Sequence, residues 1–251
     1  PGKADPEELA EFMEKYGIDE ALIYPIAFSS YFDPKTADQE VMNASGEYDI
    51  PYQKENREIL SWAEEYEEFH PVLAFSLGEH GNVDDIDQLL QEDRGVKALK
   101  IHPRASHSDL DLLSNSKILE LARDYKAPII SHLEGDNFPR YVEEFDLRSY
   151  SDPNKFLELA ERNQDVDFQG AHLGDVSETF LNRVSEMDNV YTDCSPPVTI
   201  FGTEDELASE AMDLARMEPL DALEQLVSKF PDSIVYGSDY PYMRTREVGL
   251  D

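Results

Sequence analysis

The sequence predicts an α/β protein, specifically a (β/α)8 TIM barrel that lacks its first strand and its last helix within this chain. Three observations carry the prediction. Short apolar runs alternate with helical patterns along the whole chain, chemistry-bearing residues stand at the ends of those runs, and no Gly-rich phosphate cradle follows any of them. Alternation of this kind implies parallel β-α units, for which a closed barrel and an open doubly wound sheet compete. The absence of GxGxxG and GxxxxGK(S/T) removes the usual phosphate sites of the open sheet. Barrel active sites lie at the C-terminal ends of the strands, so Lys100, His102, His132, His172, Asp193 and Asp239 at run ends favour the barrel.

The first element reads as a helix. Asp5 stands as N-cap, Pro6 takes the first helical position and Glu8 occupies the capping-box position. Leu9, Phe12, Met13 and Tyr16 keep the spacing of one helical face, and Gly17 stops it. An apolar run at 21–28 reads as a buried strand, the first one within this chain. Further strands are expected at 72–77, 96–101, 128–131, 166–171, 190–193 and 233–237, interleaved with helical patterns at 59–66, 86–90, 118–125, 156–160, 180–187 and 220–230. Residues 29–51 read as a long loop over the barrel mouth and 195–202 as a second. No repeat, low-complexity tract or linker divides the chain, so 1–251 is expected to be one barrel domain, incomplete at both ends.

Composition sets the environment. A chain of 251 residues with 40% hydrophobic side chains can bury a real core. Its 21 Lys+Arg against 55 Asp+Glu give 21 − 55 = −34. Such a charge repels phosphate backbones and anionic surfaces, which excludes nucleic acid and membrane as partners and leaves homo-oligomerisation open. The acids are spread over helix faces, as in Glu7, Glu8, Glu11 and Glu14, in the manner of halophilic proteins, for which screening over about 3 Å at molar salt makes the repulsion tolerable. No apolar run approaches the roughly 20 residues of a membrane span and no leader opens the chain, so a soluble, cytoplasmic protein is expected. The single cysteine, Cys194, allows neither an internal disulfide nor a CxxC zinc site and reads as a small buried side chain.

Three strings carry the chemistry: Pro128-Ile129-Ile130-Ser131-His132, Gly170-Ala171-His172-Leu173-Gly174-Asp175, and Val235-Tyr236-Gly237-Ser238-Asp239-Tyr240-Pro241. In the strand period of two, Ile130 shares a face with His132, Gly170 with His172, and Val235 and Gly237 with Asp239. Each string then runs along the barrel interior and ends on a potential ligand at the rim. Neutral imidazoles and a carboxylate suit Zn²⁺ or a similar divalent metal held with an open position for water. Lys100 and His102 share a face with Ala98. Lys100 reads as a contact to a substrate carboxylate, a carbamylated metal bridge or a structural ion pair. Asp193 can position the histidine of the neighbouring strand or cap a turn, and His70, His80 and His107 read as surface residues.

These strings resemble those of the amidohydrolase superfamily, in the branch called amidohydrolase family 2. Gly95-Val96-Lys97-Ala98-Leu99-Lys100-Ile101-His102-Pro103 is similar to its fourth strand and Val190-Tyr191-Thr192-Asp193-Cys194-Ser195 to its seventh. The resemblance implies a metal-dependent hydrolase, most simply a zinc enzyme, in which activated water cleaves an amide, ester or lactone of a small-molecule substrate. His132, His172 and Asp239 would be metal ligands, Asp239 and His172 the catalytic pair, and Lys100, His102 and Asp193 the substrate-binding set. A nonoxidative decarboxylase of the same family is the alternative. Family members carry a His-x-His pair at the end of strand one, and none is present here. The expectation is a longer polypeptide whose upstream part carries it; a noncatalytic binding module is the reading if none precedes Pro1.

Overall fold

The computed structural model describes residues 5–25, 52–77, 82–103, 106, 108–133, 148–195 and 217–237. Among them, seven strands form one sheet: β1 (Ala21–Ile23), β2 (Phe69–Phe75), β3 (Ala98–Ile101), β4 (Ile129–Ser131), β5 (Phe168–Gly170), β6 (Val190–Asp193) and β7 (Ile234–Val235). Every neighbouring pair is parallel and the spatial order is the chain order. A doubly wound sheet reverses its order at a switch point, so this sequence of strands is a barrel wall. Its fold is that of an incomplete (β/α)8 barrel.

The helices are α1 (Pro6–Tyr16), α2 (Tyr52–Glu65), α3 (Val83–Gln91), α4 (Lys117–Tyr125), α5 (Pro153–Arg162), α6 (Glu178–Val184) and α7 (Pro219–Lys229). Capping fixes α1 as its sequence predicts: the Asp5 carboxylate accepts from the Glu7 N–H at 2.9 Å, and Gly17 closes the helix at φ 67°. The same device starts α5, where Asp152 accepts from Asn154 N–H at 2.8 Å beside Pro153. A 3-10 segment, Leu110–Asn115, follows β3 and has no counterpart in the apolar pattern. β2 begins three residues before the expected 72–77 run. Phe69 pairs with Ala21 and packs with Met13 and Ile59, while Pro71, though it has no N–H, still accepts from Lys97 N–H at 2.9 Å. Among the described residues no helix is long and apolar enough to cross a membrane.

The sheet has two apolar faces of unequal size. Leu73, Phe75, Leu99, Ile101, Ile129, Phe168 and Val190 point outward and pack with Leu60, Ile86, Leu119, Phe156, Phe180 and Leu226 of the helices in one large cluster. Burial of each such side chain contributes about 1.5–3 kcal/mol, so the helix–sheet interface dominates stability. Among the described residues the inner face carries fewer apolar side chains: Val72, Ala98 and Ile130, with Tyr24 packed against them, and Ala74, which packs with Tyr52. Beyond Pro71, where the β1–β2 pairing ends, the Asn56 side chain takes over. It donates to Ala74 C=O at 2.9 Å and accepts from Ala74 N–H at 2.8 Å, as a strand backbone would.

Candidate metal centre

The chemistry-bearing residues gather where β3, β4, β5 and β6 end. Ile101 pairs with Ser131, so one step further along the register sets His102 beside His132 on the inner face. The His132 N–H donates to Ile101 C=O at 3.0 Å, and the two imidazoles lie stacked with centroids 3.8 Å apart and planes 14° from parallel. Lys100, two residues back, is buried, with its Nζ 5.0 Å from the centre of the Tyr24 ring. That is a cation–π contact inside the barrel.

His172 reaches the site by a route that strand alternation does not predict. Gly170 faces the helices: a Cβ there would lie 2.6 Å from Leu133 Cδ1 and 3.0 Å from the rings of Phe156 and Phe180. Strict alternation would send His172 outward with it. Instead the backbone turns left-handed at His172 (φ 62°) and stays so through Leu173 (54°), Gly174 (56°) and Asp175 (65°). The expected common face of Gly170 and His172 is therefore corrected; the turn swings the imidazole inward onto His132. Left-handed geometry costs about 1–2 kcal/mol per non-glycine residue, and strain of this kind concentrates at functional sites.

Asp193 holds the turn in place. Its Oδ1 accepts from His172 N–H at 3.2 Å, Ser195 N–H at 3.1 Å and Ser195 Oγ–H at 2.7 Å, and its Oδ2 accepts from Gln169 Nε2 at 3.0 Å. Asp193 thus both positions His172, through its backbone, and caps a turn. The imidazole itself is oriented by Ser195, whose carbonyl receives the Nδ1–H. A carbonyl can only accept, so Nδ1 carries the proton and Nε2 the lone pair. That Nε2 lies 2.9 Å from His132 Nδ1, with the two rings 73° apart. Burial, and then the neighbouring His132, push the His172 pKa down to about 3, so the ring is neutral at pH 7. The nearby Cys194 thiol is raised by burial, which leaves it protonated and unreactive.

Of the predicted residues, the structure thus brings together His102, His132, His172 and Asp193, with Lys100 on the same inner face. Asp239 lies outside the described residues, as do His80 and His107. Gly237 runs close beside β6, where a Cβ would meet Ser195 Oγ at 2.9 Å. His70 pairs with Glu20 at 3.3 Å, away from the site. Gln169, Ser195 and Tyr24 belong to the arrangement without being expected from the sequence. Two signals point to them: Gln169 has inner-face parity between Phe168 and Gly170, and Asp193-Cys194-Ser195 has the spacing of an Asx turn.

A divalent metal can be tested against this donor set. Two imidazoles, the buried and neutral His172 and the half-buried His132, face each other through Nε2 and Nδ1, which suits metal–nitrogen bonds of about 2.0–2.1 Å converging between them. No group of three or more His, Cys, Asp or Glu able to hold a metal occurs among the described residues. The residues present fit two positions of a coordination sphere and leave the others to residues beyond them.

The profile of the amidohydrolase family matches residues 1–248. The chain belongs to that family. Among solved structures it is similar to an uncharacterized TIM-barrel protein from Bordetella bronchiseptica, at 15% identity and TM-score 0.59, over 97% of this chain and 76% of that one. It is similar to an amidohydrolase from Burkholderia multivorans with bound zinc, at 14% identity and TM-score 0.54, over 95% and 74%. A dihydroxybenzoic acid decarboxylase from Polaromonas, with bound manganese and the inhibitor 2-nitroresorcinol, aligns at 10% identity and TM-score 0.56, over 95% and 76%. At these identities the likeness is one of fold. No curated protein matches the sequence.

Proposed function

We propose that this protein is a divalent-metal-dependent hydrolase that cleaves an amide, ester or lactone of a small-molecule substrate. The observation that supports it is the approach of His172 Nε2 to His132 Nδ1 at 2.9 Å, at the C-terminal ends of adjacent strands of an amidohydrolase-family barrel. His132 and His172 would hold the ion together with Asp239. Zinc is our first choice, and manganese serves the same donors. The chemistry such an ion supplies when bound is Lewis acidity, which lowers the pKa of water to about 7 and polarises a carbonyl. Asp239 takes the proton released as water attacks and passes it to the leaving group. His172, neutral and fixed by Ser195, directs its lone pair inward; Asp193 keeps it there.

Decarboxylation is the second reading, favoured by one feature. Lys100 places a buried ammonium on the inner face, where it can hold a substrate carboxylate. A panel of esters, lactones, amides and hydroxybenzoates, assayed on the full-length protein with added Zn²⁺ or Mn²⁺, separates the two by released acid against released CO₂. Asp239→Asn should keep the fold and cut turnover by at least about 10², the scale of lost general-base catalysis. Turnover within a few-fold of wild type would make Asp239 a turn residue. His132→Ala should lower metal content first and activity as a consequence.

A further inference from the structure

We propose that Gln169 determines substrate specificity: Asp193 fixes its amide so that Oε1 faces the site as an acceptor and selects ligands that bring a hydroxyl or an amide N–H. The inference rests on the reading of this end of the barrel as the substrate site and deepens it by naming the chemistry that one wall recognises. Phe168 and Gly170 face the helices, so Gln169 between them faces the barrel interior, level with Ile130 of β4. One step beyond the paired residues Ser131, Gly170 and Thr192, the register aligns His132, Ala171 and Asp193 in a single layer. Ala171 contributes only a buried methyl to that layer. The space goes to the longer side chain of Gln169, two residues before it, whose Nε2 donates to Asp193 Oδ2 at 3.0 Å.

The partner decides which way round this amide stands. A carboxylate that collects four donors can only accept, so the nitrogen must face Asp193, and Oε1, branching from the same carbon, is turned away from it. Turning the amide over would set Oε1 against Oδ2, two acceptors in contact. Asp193 is itself held, because its Oδ1 serves His172 N–H and both donors of Ser195, which leaves Oδ2 to Gln169. Among the described residues nothing donates to Gln169 Oε1. The side chain is half-buried, so water can reach that oxygen in the free protein. A ligand that covers it must bring a donor of its own or leave the acceptor unpaired. Asp193 is thus a positioning residue for the polarity of Gln169 as well as for the backbone of His172.

The test is ligand binding to the full-length protein, with and without added Zn²⁺, by titration calorimetry. The carbon-13 shift of the Gln169 side-chain carbonyl is a second readout in chains that keep this residue. Two pairs of probes differ in one donor hydrogen: phenol against anisole, and N-methylbenzamide against N,N-dimethylbenzamide. Wild type should bind the donor of each pair at least about tenfold more tightly, the scale of one unpaired buried acceptor, and only the donors should move the carbonyl signal. Gln169→Met keeps the length of the side chain, removes the acceptor and should bring each pair within about threefold. Asp193→Asn should do the same with Gln169 intact, because the turned amide then offers N–H groups that an oxygen of either probe can meet. A merely structural Asp193 would not produce that change. Equal binding within each pair by wild type, or no binding of any probe, would overturn the proposal. So would a preference that survives either substitution, since another group would then read the donor. Weaker zinc binding by Gln169→Met with the preference intact would overturn it by making Oε1 a metal ligand. A clear preference in a protein that turns over no member of the substrate panel supports the proposal and sinks the hydrolase reading alone.

Discussion

At the scale of single residues, Asp193 is the most heavily used group in the site. One carboxylate collects the Gln169 amide, the His172 N–H, and both the N–H and hydroxyl of Ser195. Asp193→Ala would orphan buried donors, each at about 1–3 kcal/mol, and should cost about 3 kcal/mol or more in urea unfolding. Asp193→Asn keeps one oxygen for three of the donors and lets the Gln169 amide turn over, so about 1 kcal/mol is expected. Equal losses would show that the carboxylate is a spacer. His172 gives a pH prediction. Its folded pKa is depressed, so between about 3 and the ordinary 6.5 the unfolded chain binds a proton that the folded chain does not. The stabilising contribution is fully present above about pH 6.5 and is lost as pH falls toward 3. Metal-free wild type should lose stability more steeply than His172→Gln between pH 7 and 4.5, and parallel slopes would mean that the imidazole is not held neutral. His132, His172 and Asp193 were legible because each ends an apolar run. The face of Gly170 was not, since alternation assumes extended backbone and the four residues from His172 are left-handed.

Among the elements, the turn that follows β5 is the most demanding. Gly174 has φ 56°, and a Cβ there would come within 2.2 Å of Phe180 Cγ at the heart of α6. Gly17, which ends α1, has a similar φ of 67° with nothing within 4 Å. The pair separates conformational cost from crowding. Gly17→Ala should destabilise by about 1 kcal/mol, the left-handed penalty alone. Gly174→Ala should cost about 1–3 kcal/mol more, because the ring of Phe180 must move. Thermal unfolding of both variants measures the difference, and similar losses would place the Phe180 ring elsewhere. The strands themselves were readable, since each buried run is short, apolar and bounded by turn residues. β6 matches its expected bounds, 190–193, and β7 shrinks to Ile234–Val235. Strand ends escape prediction because partners set them: Phe69 joins β2 through Ala21, and Asn56 substitutes for a strand at Ala74.

For the molecule as a whole, charge is the governing quantity, and it decides how stability responds to salt. Two effects oppose each other when salt is added. Exposed ion pairs such as Arg94 with Glu64 and Lys229 with Glu178, both at 2.6 Å, are weakened, each worth about 0–1 kcal/mol. Repulsion among the acids is weakened too, and this second effect outweighs the first. With 55 acidic residues and 21 basic ones, even complete pairing leaves 55 − 21 = 34 negative charges uncompensated. Arg94, Lys117 and Lys155 already serve two acids each, so few cations remain to neutralise the others. At 0.01 M salt the screening length is about 30 Å, comparable to the molecule, and every acid feels the rest; at 1 M it is about 3 Å, and each feels only its neighbours. Melting temperature should therefore rise between 0.01 and 1 M KCl. Potassium chloride is the right salt, because sulfate would also strengthen apolar burial and blur the cause. A charge-reduced variant with Glu7, Glu8, Glu11 and Glu14 of α1 changed to Gln should melt higher at low salt and respond less to KCl. A flat or falling dependence in wild type would mean that ion pairing outweighs repulsion, and the acidic surface would then need a cause other than adaptation to salt.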